Sequence, residues 1–392
     1  MLVTRMSNKF KTIALVSTSF PITHDGSEAA GSFVQDFAIE LSRQGVKVIV
    51  IAPIVGTAKT IVYQGITVCY FSVKRLPLST INILNPFNWY SLYLALKNGQ
   101  QKVNQIVVQY ETEHIFALWA LPSGYWANIA CKKFNIDYST WCLGSDIWSL
   151  SKLPLVKQVL VNTLKESKII YSDGLELSRR VTKLSSSECH FMSSSRHFVN
   201  NEKNLKKPNN NGKFTFVFIG RWHKNKGVDL LLDTLNLLDD KDWSLIDKVY
   251  FAGGGPLKEV VDYKIAKLIN ENRPIRLFGY INKNQAKKLI IESDYLLIPS
   301  RIESIPVIFS DAMQCYTPVI STPVGDLPHL IKQYKCGLLA EDVTSVAFFK
   351  QIKKALYKHK NNYNFNKVKE LFSVVNNTKL FLKNMTLDGE GR

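Results

Sequence analysis

Short apolar runs alternate with segments of helical periodicity along the first part of the chain. Residues 11–18 (KTIALVST) and 46–52 (VKVIVIA) are apolar enough to be buried strands. Residues 32–44, between them, carry apolar side chains at helical spacing, and Gly45 then ends the pattern. This strand–helix–strand order predicts a parallel sheet with right-handed crossovers.

The pattern continues toward the middle of the chain and is then interrupted. We expect strands at residues 105–108 and 138–142, separated by a helix over residues 124–134. Residues 199–212, which include the stretch NNEKNLKKPNNNG, are polar, lack periodicity and contain a proline. They are therefore predicted to be a linker.

The second half begins the alternation again. A strand at residues 214–219, a helix at 228–238 and a strand at 248–252 are followed by three more short apolar runs. The short runs RLF, DYLLIP and PVIST read as strands, and glycines and prolines separate them. The second half is thus expected to form its own parallel α/β sheet.

These patterns predict an α/β protein of two doubly wound, Rossmann-like domains that face a central cleft. The first domain is expected over residues 1–198, the linker over 199–212 and the second domain over 213–345. Residues 346–392 are expected to form C-terminal helices that pack back toward the first domain. Ligands of such domains bind at the carboxyl ends of the strands.

The charge balance is strongly basic. Fifty basic against thirty-two acidic residues give a net charge of +18, which attracts anions in general. Neither zinc-finger spacing nor an aromatic–basic RNA-binding pattern is present, so nucleic acid is an unlikely partner. An anionic membrane surface is the more plausible partner, and a lysine-rich composition without any partner is the alternative.

Cysteines and hydropathy indicate where the protein acts. The six cysteines form no C-x-x-C pair and several lie in apolar runs, which favours buried free thiols in a reducing compartment. No apolar run reaches the length needed to span a bilayer. We expect a cytoplasmic protein, for which a peripheral position on the inner face of the cell membrane is a candidate location.

Two cations follow the first strand of the second half. Arg221 and Lys226 lie in the segment FIGRWHKNKG, between that strand and the next helix. Arginine offers a planar fork for phosphate oxygens and lysine a compact point charge, and a helix N-terminus already favours anions. The pair is a candidate diphosphate site. The alternative is that both are ordinary surface cations.

Two carboxylates follow a later buried strand. Glu303 lies in the loop after it, and Pro306 suits the first turn of a helix on which Asp311 then falls. The backbone around Ile305, Pro306 and Val307 would line the same site, although Pro306 has no N–H to donate. These carboxylates could take hydroxyl groups of a sugar nucleotide. The alternative is an acid that complements the helix dipole and a solvated aspartate.

Glycines and one further acid complete the candidates. Gly31 opens a helix of the first domain, and Gly254 lies in the turn GGGP after a strand of the second. Glycine at such turns permits positive φ and close approach of a ligand, or serves packing alone. Asp146 in LGSDIW is a candidate for substrate binding or an ordinary helix cap.

The chain resembles the retaining glycosyltransferases of family 4, which have the GT-B fold. The resemblance is carried, in the family's order, by residues 30–53, 117–148, 220–227, 253–257 and 299–329, and the last block, PSRIESIPVIFSDAMQCYTPVISTPVGDLPH, is specific. It implies that the first domain is the acceptor side and that the second binds the nucleotide sugar.

The resemblance also implies roles for single residues. Arg221 and Lys226 would hold the donor diphosphate, Glu303 would contact the transferred sugar and Asp311 would bind the ribose hydroxyls. Gly31 would lie where a loop of the first domain approaches the donor. We expect Glu303, Arg221 and Lys226 to be catalytic, the other candidates to bind substrate, and no metal or cofactor besides the nucleotide-diphosphate sugar as co-substrate.

Several positions depart from the family pattern. The second acid of its Glu-x7-Glu pair is Asp311, which is one methylene shorter. Phe116, Leu118 and Leu143 stand where the family often has histidine. His114 lies nearby and is more often structural in such a position.

The predicted activity is retaining transfer of a sugar from a nucleotide-diphosphate sugar to a glycan or lipid-linked acceptor in cell-surface polysaccharide biosynthesis. The candidate site segments contain no Asp-x-Asp motif, which fits a metal-independent enzyme; the spacing occurs elsewhere, at Asp240-Lys241-Asp242. The alternatives are a sugar-nucleotide epimerase of the same fold and a non-catalytic protein that binds nucleotide sugars. A salt-sensitive RNA-binding protein is a further alternative.

Overall fold

The structure is a computed structural model. It describes residues 12–23, 28, 31–78, 81, 85–198, 212–357 and 363–387. The predicted linker at 199–212 lies outside the described residues except for Gly212.

The chain divides into two compact units. The first unit comprises Met1–Ile22, Ala30–Ser193 and Val374–Arg392, and the second comprises Thr23–Ala29 and Ser194–Ser373. Each unit is built on its own sheet of mainly parallel strands. The predicted fold class of two doubly wound α/β domains is confirmed.

The first unit contains β1 to β8 and seven helices within the described residues. Its strands are β1 Thr12–Val16, β2 Lys47–Val55, β3 Thr60–Tyr63, β4 Ile66–Val73, β5 His114–Leu118, β6 Asp137–Cys142, β7 Ile170–Ser172 and β8 Cys189–Phe191. Its helices are α1 Ser32–Arg43, α2 Trp89–Gln109, α3 Tyr125–Phe134, α4 Ser145–Trp148, α5 Pro154–Lys165, α6 Leu175–Ser185 and, from the end of the chain, α15 Val374–Leu387.

The first sheet has the order β3-β4-β2-β1-β5-β6-β7-β8 among the described strands. All neighbours are parallel except β3 and β4, which form an antiparallel pair. Because α-helices cover both faces of a parallel sheet, its strands are apolar on both sides, and β1 is buried at every position.

The second unit contains β9 to β14 and α7 to α14. Its strands are β9 Phe214–Arg221, β10 Ile246–Gly254, β11 Ile275–Phe278, β12 Tyr295–Ile298, β13 Val319–Ser321 and β14 Gly337–Leu339. Its helices are α7 Val228–Leu235, α8 Asp240–Ser244, α9 Lys258–Asn270, α10 Lys283–Glu292, α11 Val307–Gln314, α12 Leu327–Tyr334, α13 Ser345–Tyr357 and α14 Asn366–Leu371.

The second sheet has the order β11-β10-β9-β12-β13-β14 within the described part of the chain, and every pair is parallel. The strand order reverses direction between β9 and β12. In doubly wound sheets, ligands bind at this switch point, outside the carboxyl ends of the two strands. The fold therefore singles out the loops after β9 and β12.

The strand predicted at residues 105–108 is wrong. These residues lie inside α2, whose buried side is formed by Ala95, Gly99, Val103 and Ile106. The β-branched run Ile106, Val107, Val108 reads as a strand by composition, but it continues the helical spacing set by the preceding residues.

The C-terminal helices are divided between the two units. Residues 346–357, expected to pack toward the first domain, instead lie in α13, and Phe348 and Ile352 join the core of the second unit. The correction applies up to Ser373, where α14 also remains in the second unit. Of the described helices after residue 345, α15 alone returns to the first unit, where Phe381 and Met385 are fully buried.

Two further observations bear on the sequence analysis. All six cysteines are buried free thiols, as predicted. Among the residues that the structure describes, no helix combines the length and the apolar character that crossing a membrane requires.

Candidate active site

The loops after β9 and β12 meet at the switch point of the second sheet. The pairing of β9 with β12 brings their carboxyl ends side by side, and β10 flanks β9 on its other side. Arg221 is the last residue of β9 and is exposed, while Gly254 ends β10 directly opposite it in register. Three of the predicted site segments therefore share one edge.

The first loop folds tightly because of its glycine. Gly227 has a positive φ of 69°, and a Cβ at this position would lie 1.8 Å from the carbonyl oxygen of Pro299. Only glycine allows so close an approach. The turn Lys224–Lys226 just before it is capped by His223, whose Nδ1 accepts from the backbone N–H of Asn225 at 3.1 Å. Gly227 thus lets the first loop lie against the second.

Lys226 and Glu303 are in direct contact across the two loops. The Lys226 ammonium donates to Oε1 of Glu303, and the Ser300 hydroxyl donates to the same oxygen at 3.1 Å. The carboxylate is largely enclosed, whereas the lysine remains partly exposed. A cation and a carboxylate that were predicted separately from the sequence therefore form an ion pair. The pair can offer positive charge to an anion and an acceptor oxygen to a hydroxyl group.

Arg301 fixes the relative position of the two loops. Its backbone N–H donates to the carbonyl oxygen of Asn225 at 2.7 Å, and its guanidinium donates to the carbonyl oxygen of Lys224, also at 2.7 Å. The guanidinium also pairs with Asp229 at 2.7 Å. Burial alone would raise the pKa of Asp229, but the hydrogen bond and charge of Arg301 outweigh it and lower that pKa.

Helix α11 begins immediately after Glu303. Pro306 is its N-cap and provides no side-chain hydrogen bond, and the first helical residue is Val307. Ile305 and Pro306 are buried, whereas Val307 is half-buried. A helix N-terminus carries partial positive charge and unsatisfied N–H groups, so it adds to the cationic character of this edge.

Asp311 is placed differently from the expectation. It lies on α11 but is fully buried, and its carboxylate pairs with the Arg196 guanidinium, which reaches Oδ1 from Nε at 3.2 Å and also binds Oδ2 through its terminal nitrogen. The alternative of a solvated aspartate is therefore wrong. In this structure both carboxylate oxygens that were expected to face ribose are engaged by Arg196.

The two glycines at the end of β10 pack tightly against their neighbours. A Cβ on Gly254 would lie 2.8 Å from the ring of Tyr280, and the carbonyl oxygen of Gly254 accepts from the N–H of Trp222 at 2.8 Å. Gly253 has a φ of 143°, and a Cβ there would lie 2.0 Å from the carbonyl oxygen of Gly220. Packing alone accounts for Gly253, while the exposed Tyr280 leaves Gly254 next to an open surface.

Two buried polar atoms at this edge have no protein partner within the described residues. They are Nε1 of Trp222, next to Arg221, and the hydroxyl of Ser304, next to Glu303. Buried polar groups are nearly always hydrogen-bonded, to water or ligand if not to protein. These two atoms identify places where a bound molecule or water completes the hydrogen bonding.

The remaining candidates belong to the first unit. Gly31 is the N-cap of α1 with a φ of 74°, and a Cβ there would lie 2.5 Å from the carbonyl oxygen of Ser19. Glycine is therefore required by the turn itself. The turn lies after β1, next to β5, where the order of the first sheet also reverses.

Asp146 supports the backbone. Its buried carboxylate accepts the N–H of Ala120 at 2.6 Å and that of Leu143 at 3.3 Å. Burial raises its pKa to about 6, against the effect of these hydrogen bonds. Asp146 thereby ties the loop after β5 to the loop after β6, and both of its oxygens are engaged in doing so.

The positions that depart from the family pattern are core positions. Phe116 and Leu118 are fully buried in β5, and Leu143 packs against the same core cluster. His114, on the same strand, is fully buried, and its Nε2 lies 3.1 Å from the Ser139 hydroxyl. Burial lowers its pKa to about 3, so it is neutral at physiological pH. His114 is a structural histidine.

Several residues of this edge were missed by the sequence analysis. Ser300, Arg301 and Asp229 shape the two loops, and Arg196 holds Asp311. Arg196 is a single cation in the segment SSSRHF, 115 residues before its partner, so no local pattern indicates the pairing. Ser300 stands only three residues before Glu303, and this short spacing is the sequence signal for their contact.

Comparison with known proteins identifies the second unit. Residues 200–370 match the family model described as glycosyl transferases group 1. This part of the chain, somewhat less than half of it, is similar to the glycosyl transferases group 1 family. An uncharacterized glycosyltransferase of Methanocaldococcus jannaschii is 31% identical over 133 residues, which cover 34% of this chain and 35% of that protein. The match thus spans about a third of the length of such curated relatives.

Solved structures extend the likeness over both units. Sucrose-phosphate synthase from Thermosynechococcus elongatus has a TM-score of 0.73 at 14% identity and covers 97% of this chain and 98% of its own. Anabaena HepE, solved in complex with UDP-glucose, has a TM-score of 0.69 at 15% identity and covers 96% and 99%. At these identities the likeness concerns the fold, and it confirms the predicted GT-B class.

Proposed function

We propose that the protein transfers a sugar from a nucleotide-diphosphate sugar to an acceptor, with retention of anomeric configuration. The observation that carries this proposal is the contact between Lys226 and Glu303 at the switch point of the second sheet, with Arg221 at the end of β9. The same residues are the ones that the family resemblance assigns to the diphosphate and the transferred sugar.

The chemistry requires stabilisation of a leaving diphosphate. Breaking the sugar–phosphate bond concentrates negative charge on the phosphate, and preorganised cations and dipoles at that position lower the barrier. Arg221, Lys226 and the N-terminus of α11 supply positive charge at one edge. We therefore propose that the reaction proceeds without a metal ion or cofactor.

Glu303 serves two purposes in this proposal. It orients Lys226 in the absence of donor, and it accepts a hydrogen bond from a hydroxyl group of the transferred sugar when donor is bound. Ser300 holds the carboxylate in place through its hydroxyl. The acceptor attacks from the same face that the phosphate leaves, which accounts for retention, and the leaving phosphate takes up the acceptor's proton.

The acceptor side of the proposal concerns the first unit. The acceptor is a glycan or a lipid-linked glycan, and the pathway is the synthesis of a cell-surface polysaccharide. Gly31 keeps the loop after β1 tight at the switch point of the first sheet.

Donor binding provides the first test. The midpoint of thermal unfolding is measured with UDP, GDP, ADP and CMP for the wild type, Arg221→Met, Lys226→Met and Lys224→Met. A ligand present at a hundred times its Kd stabilises the folded state by about 2.7 kcal/mol. One nucleoside diphosphate should raise the midpoint of thermal unfolding of the wild type and of Lys224→Met, the matched control from the same turn. It should not raise the midpoint of Arg221→Met or Lys226→Met.

Turnover provides the second test. Loss of one charge-stabilising group should lower kcat by roughly 100- to 1,000-fold in Arg221→Met and Lys226→Met, while Lys224→Met stays near wild type. Unchanged turnover in both would contradict the assignment. Conversion of nucleotide sugar without any acceptor would indicate an epimerase, and binding without turnover would indicate a non-catalytic protein.

A further inference from the structure

The start of α2 exposes an aromatic surface on the first unit. Phe87, Trp89, Tyr90 and Tyr93 are 93%, 58%, 60% and 57% exposed. Phe87 belongs to the 3-10 turn Pro86–Asn88 that leads into α2. Large apolar side chains grouped in this way on a protein surface mark an interaction site. We call these four residues the aromatic face.

The aromatic face is held rigidly by the opposite side of α2. Ala95, Gly99 and Val103 are buried there, and a Cβ on Gly99 would lie 2.4 Å from the ring of Trp126. The Trp126 indole N–H donates to the carbonyl oxygen of Leu96 at 3.0 Å. The helix is therefore fixed to α3 by its buried side, which leaves the aromatic face directed away from the core.

Basic side chains border the aromatic face. The Lys74 ammonium lies 4.2 Å from the centre of the Tyr90 ring, and the Lys97 ammonium lies 5.9 Å from that of Tyr93. Arg75, next to Lys74 at the end of β4, is exposed. Lys74 and Lys97 each lie beside an aromatic ring, as at protein surfaces that meet lipid headgroups.

The surrounding sequence contains no acidic residue over a long stretch. Residues 41–110 include no Asp and no Glu, but they include the basic residues Arg43, Lys47, Lys59, Lys74, Arg75, Lys97 and Lys102. In the rest of the chain, acidic residues offset much of the charge of the basic residues, whereas residues 41–110 have a local excess of positive charge. A surface of this charge complements an anionic partner.

We propose that the aromatic face, with Lys74, Arg75 and Lys97, docks the protein onto an anionic lipid bilayer. Tyrosine and tryptophan suit this environment because their rings enter the headgroup region while their polar atoms stay hydrated. The lysine and arginine side chains pair with lipid phosphates. The docked protein lies on the bilayer surface and does not cross it.

Other occupants fit the observations less well. A partner protein would meet this surface with complementary acidic groups, but residues 41–110, which carry the aromatic face, contain none. Two copies that met through this face would therefore bring cations against cations. A lipid surface needs only the combination that is present here, which is aromatic rings, cations and the absence of acids. The docking proposal is independent of the proposed activity, although it would bring the enzyme to a lipid-linked acceptor.

The experiment measures sedimentation of the full chain with vesicles, in the absence of donor. The vesicles are phosphatidylcholine alone or phosphatidylcholine with about a third phosphatidylglycerol, whose charge attracts basic residues. The charge variant Lys74→Gln, Arg75→Gln, Lys97→Gln should lose binding to the anionic vesicles on the order of 100-fold, at about fivefold per charge. Its control, Lys267→Gln, Lys332→Gln, Lys354→Gln, removes three exposed lysines of the second unit and should bind like the wild type.

A second variant pair tests the rings. Phe87→Ser, Trp89→Ser, Tyr93→Ser should lower binding to both kinds of vesicle, whereas Val260→Ser, Tyr263→Ser, Val346→Ser, at exposed positions of the second unit, should not. Brominated lipids should quench part of the tryptophan fluorescence of the wild type, and that part should disappear in Trp89→Phe. This spectroscopic change reports insertion at the aromatic face itself.

Three results would overturn the proposal. They are equal binding of the wild type to neutral and anionic vesicles, equal losses in the test and control variants, and quenching that persists in Trp89→Phe. If the wild type instead forms a dimer that the ring variant dissociates, the face belongs to a second copy of the chain. Because donor binding is measured without vesicles, failure of docking leaves the proposed activity untouched, and the reverse also holds.

Discussion

A buried carboxylate needs a cation or several donors to replace the water it has lost. Asp311 has Arg196, whose guanidinium meets both of its oxygens inside the second unit. Gln314, one turn further along α11, donates to the carbonyl oxygen of Arg196 at 2.9 Å. The two contacts join α11 to the segment at Arg196, so the shorter acid at this position is used to position a helix.

This pair can be tested by removing its members singly and together. Asp311→Asn leaves the Arg196 guanidinium without its carboxylate, and Arg196→Met leaves the Asp311 carboxylate without its cation. Each substitution should lower the free energy of unfolding by about 3–5 kcal/mol. The double variant Arg196→Met, Asp311→Leu should recover most of that loss, as measured by urea denaturation. If instead Asp311→Asn keeps full stability and raises only the donor KM, the carboxylate binds ribose and Arg196 is incidental.

Single residues also show how far the sequence could predict the site. Lys226 and Glu303 were identified from their positions at the ends of two apolar strands, because parallel topology places strand ends together. Their direct contact was not predictable, since it depends on the close approach that Gly227 allows to Pro299. Arg196 was missed because its partner is distant in sequence and no periodicity connects the two.

Most strands were predicted correctly from the sequence, but the strand predicted at residues 105–108 is part of helix α2. β1, β2, β9 and β12 are nearly continuous apolar runs with polar or glycine-containing ends, a pattern that burial on both faces imposes. A short β-branched segment within a long helix has the same composition. The helical spacing of the buried residues along α2 shows that this segment is helical, and this spacing is visible only when the whole of residues 89–109 is considered.

Strand β5 carries a testable pH dependence through His114. Burial lowers the pKa of His114 to about 3, whereas in the unfolded chain it is about 6.5. Below pH 6.5 the unfolded chain therefore binds a proton that the folded protein does not, and stability falls as the pH decreases toward 3.

The measurement compares the wild type with His114→Gln at several pH values. The difference in the free energy of unfolding between them should shift against the wild type by about 1.4 kcal/mol per pH unit below pH 6.5. Chemical denaturation at pH 7.5, 6 and 5 measures it. A difference that stays constant across this range would mean that the folded protein takes up the proton as readily as the unfolded chain.

At the scale of the whole molecule, the first unit is assembled from both ends of the chain. Phe381 of α15 lies among Phe37, Phe116 and Tyr171, and its ring centre is 4.4 Å from that of Phe116. Residues 346–392 were expected to pack toward the first domain as one group, because the amphipathic pattern of α15 does not distinguish it from the C-terminal helices of the second unit. Its membership depends on which core has room for Phe381, which is a property of tertiary packing.

Neighbouring residues of α15 provide a matched pair for a test. Phe381→Ala removes a fully buried ring and should destabilise the protein by about 3–5 kcal/mol. Leu380→Ala, at a position 37% exposed, should change stability much less. Thermal unfolding measures the loss of stability, and hydrogen exchange of the backbone amides of β1 and β5 shows whether the first unit is the part affected. Equal effects of the two substitutions would show that α15 does not contribute to the core of the first unit.

The return of the chain at Val374 also bears on its synthesis. A ribosome synthesises Ser194–Ser373 of the second unit before it reaches α15, so the nascent first unit lacks Phe381 and Met385 during that time. The aromatic core around Phe116 can therefore close only after translation has passed α15, and co-translational folding of the first unit depends on a segment made after the second.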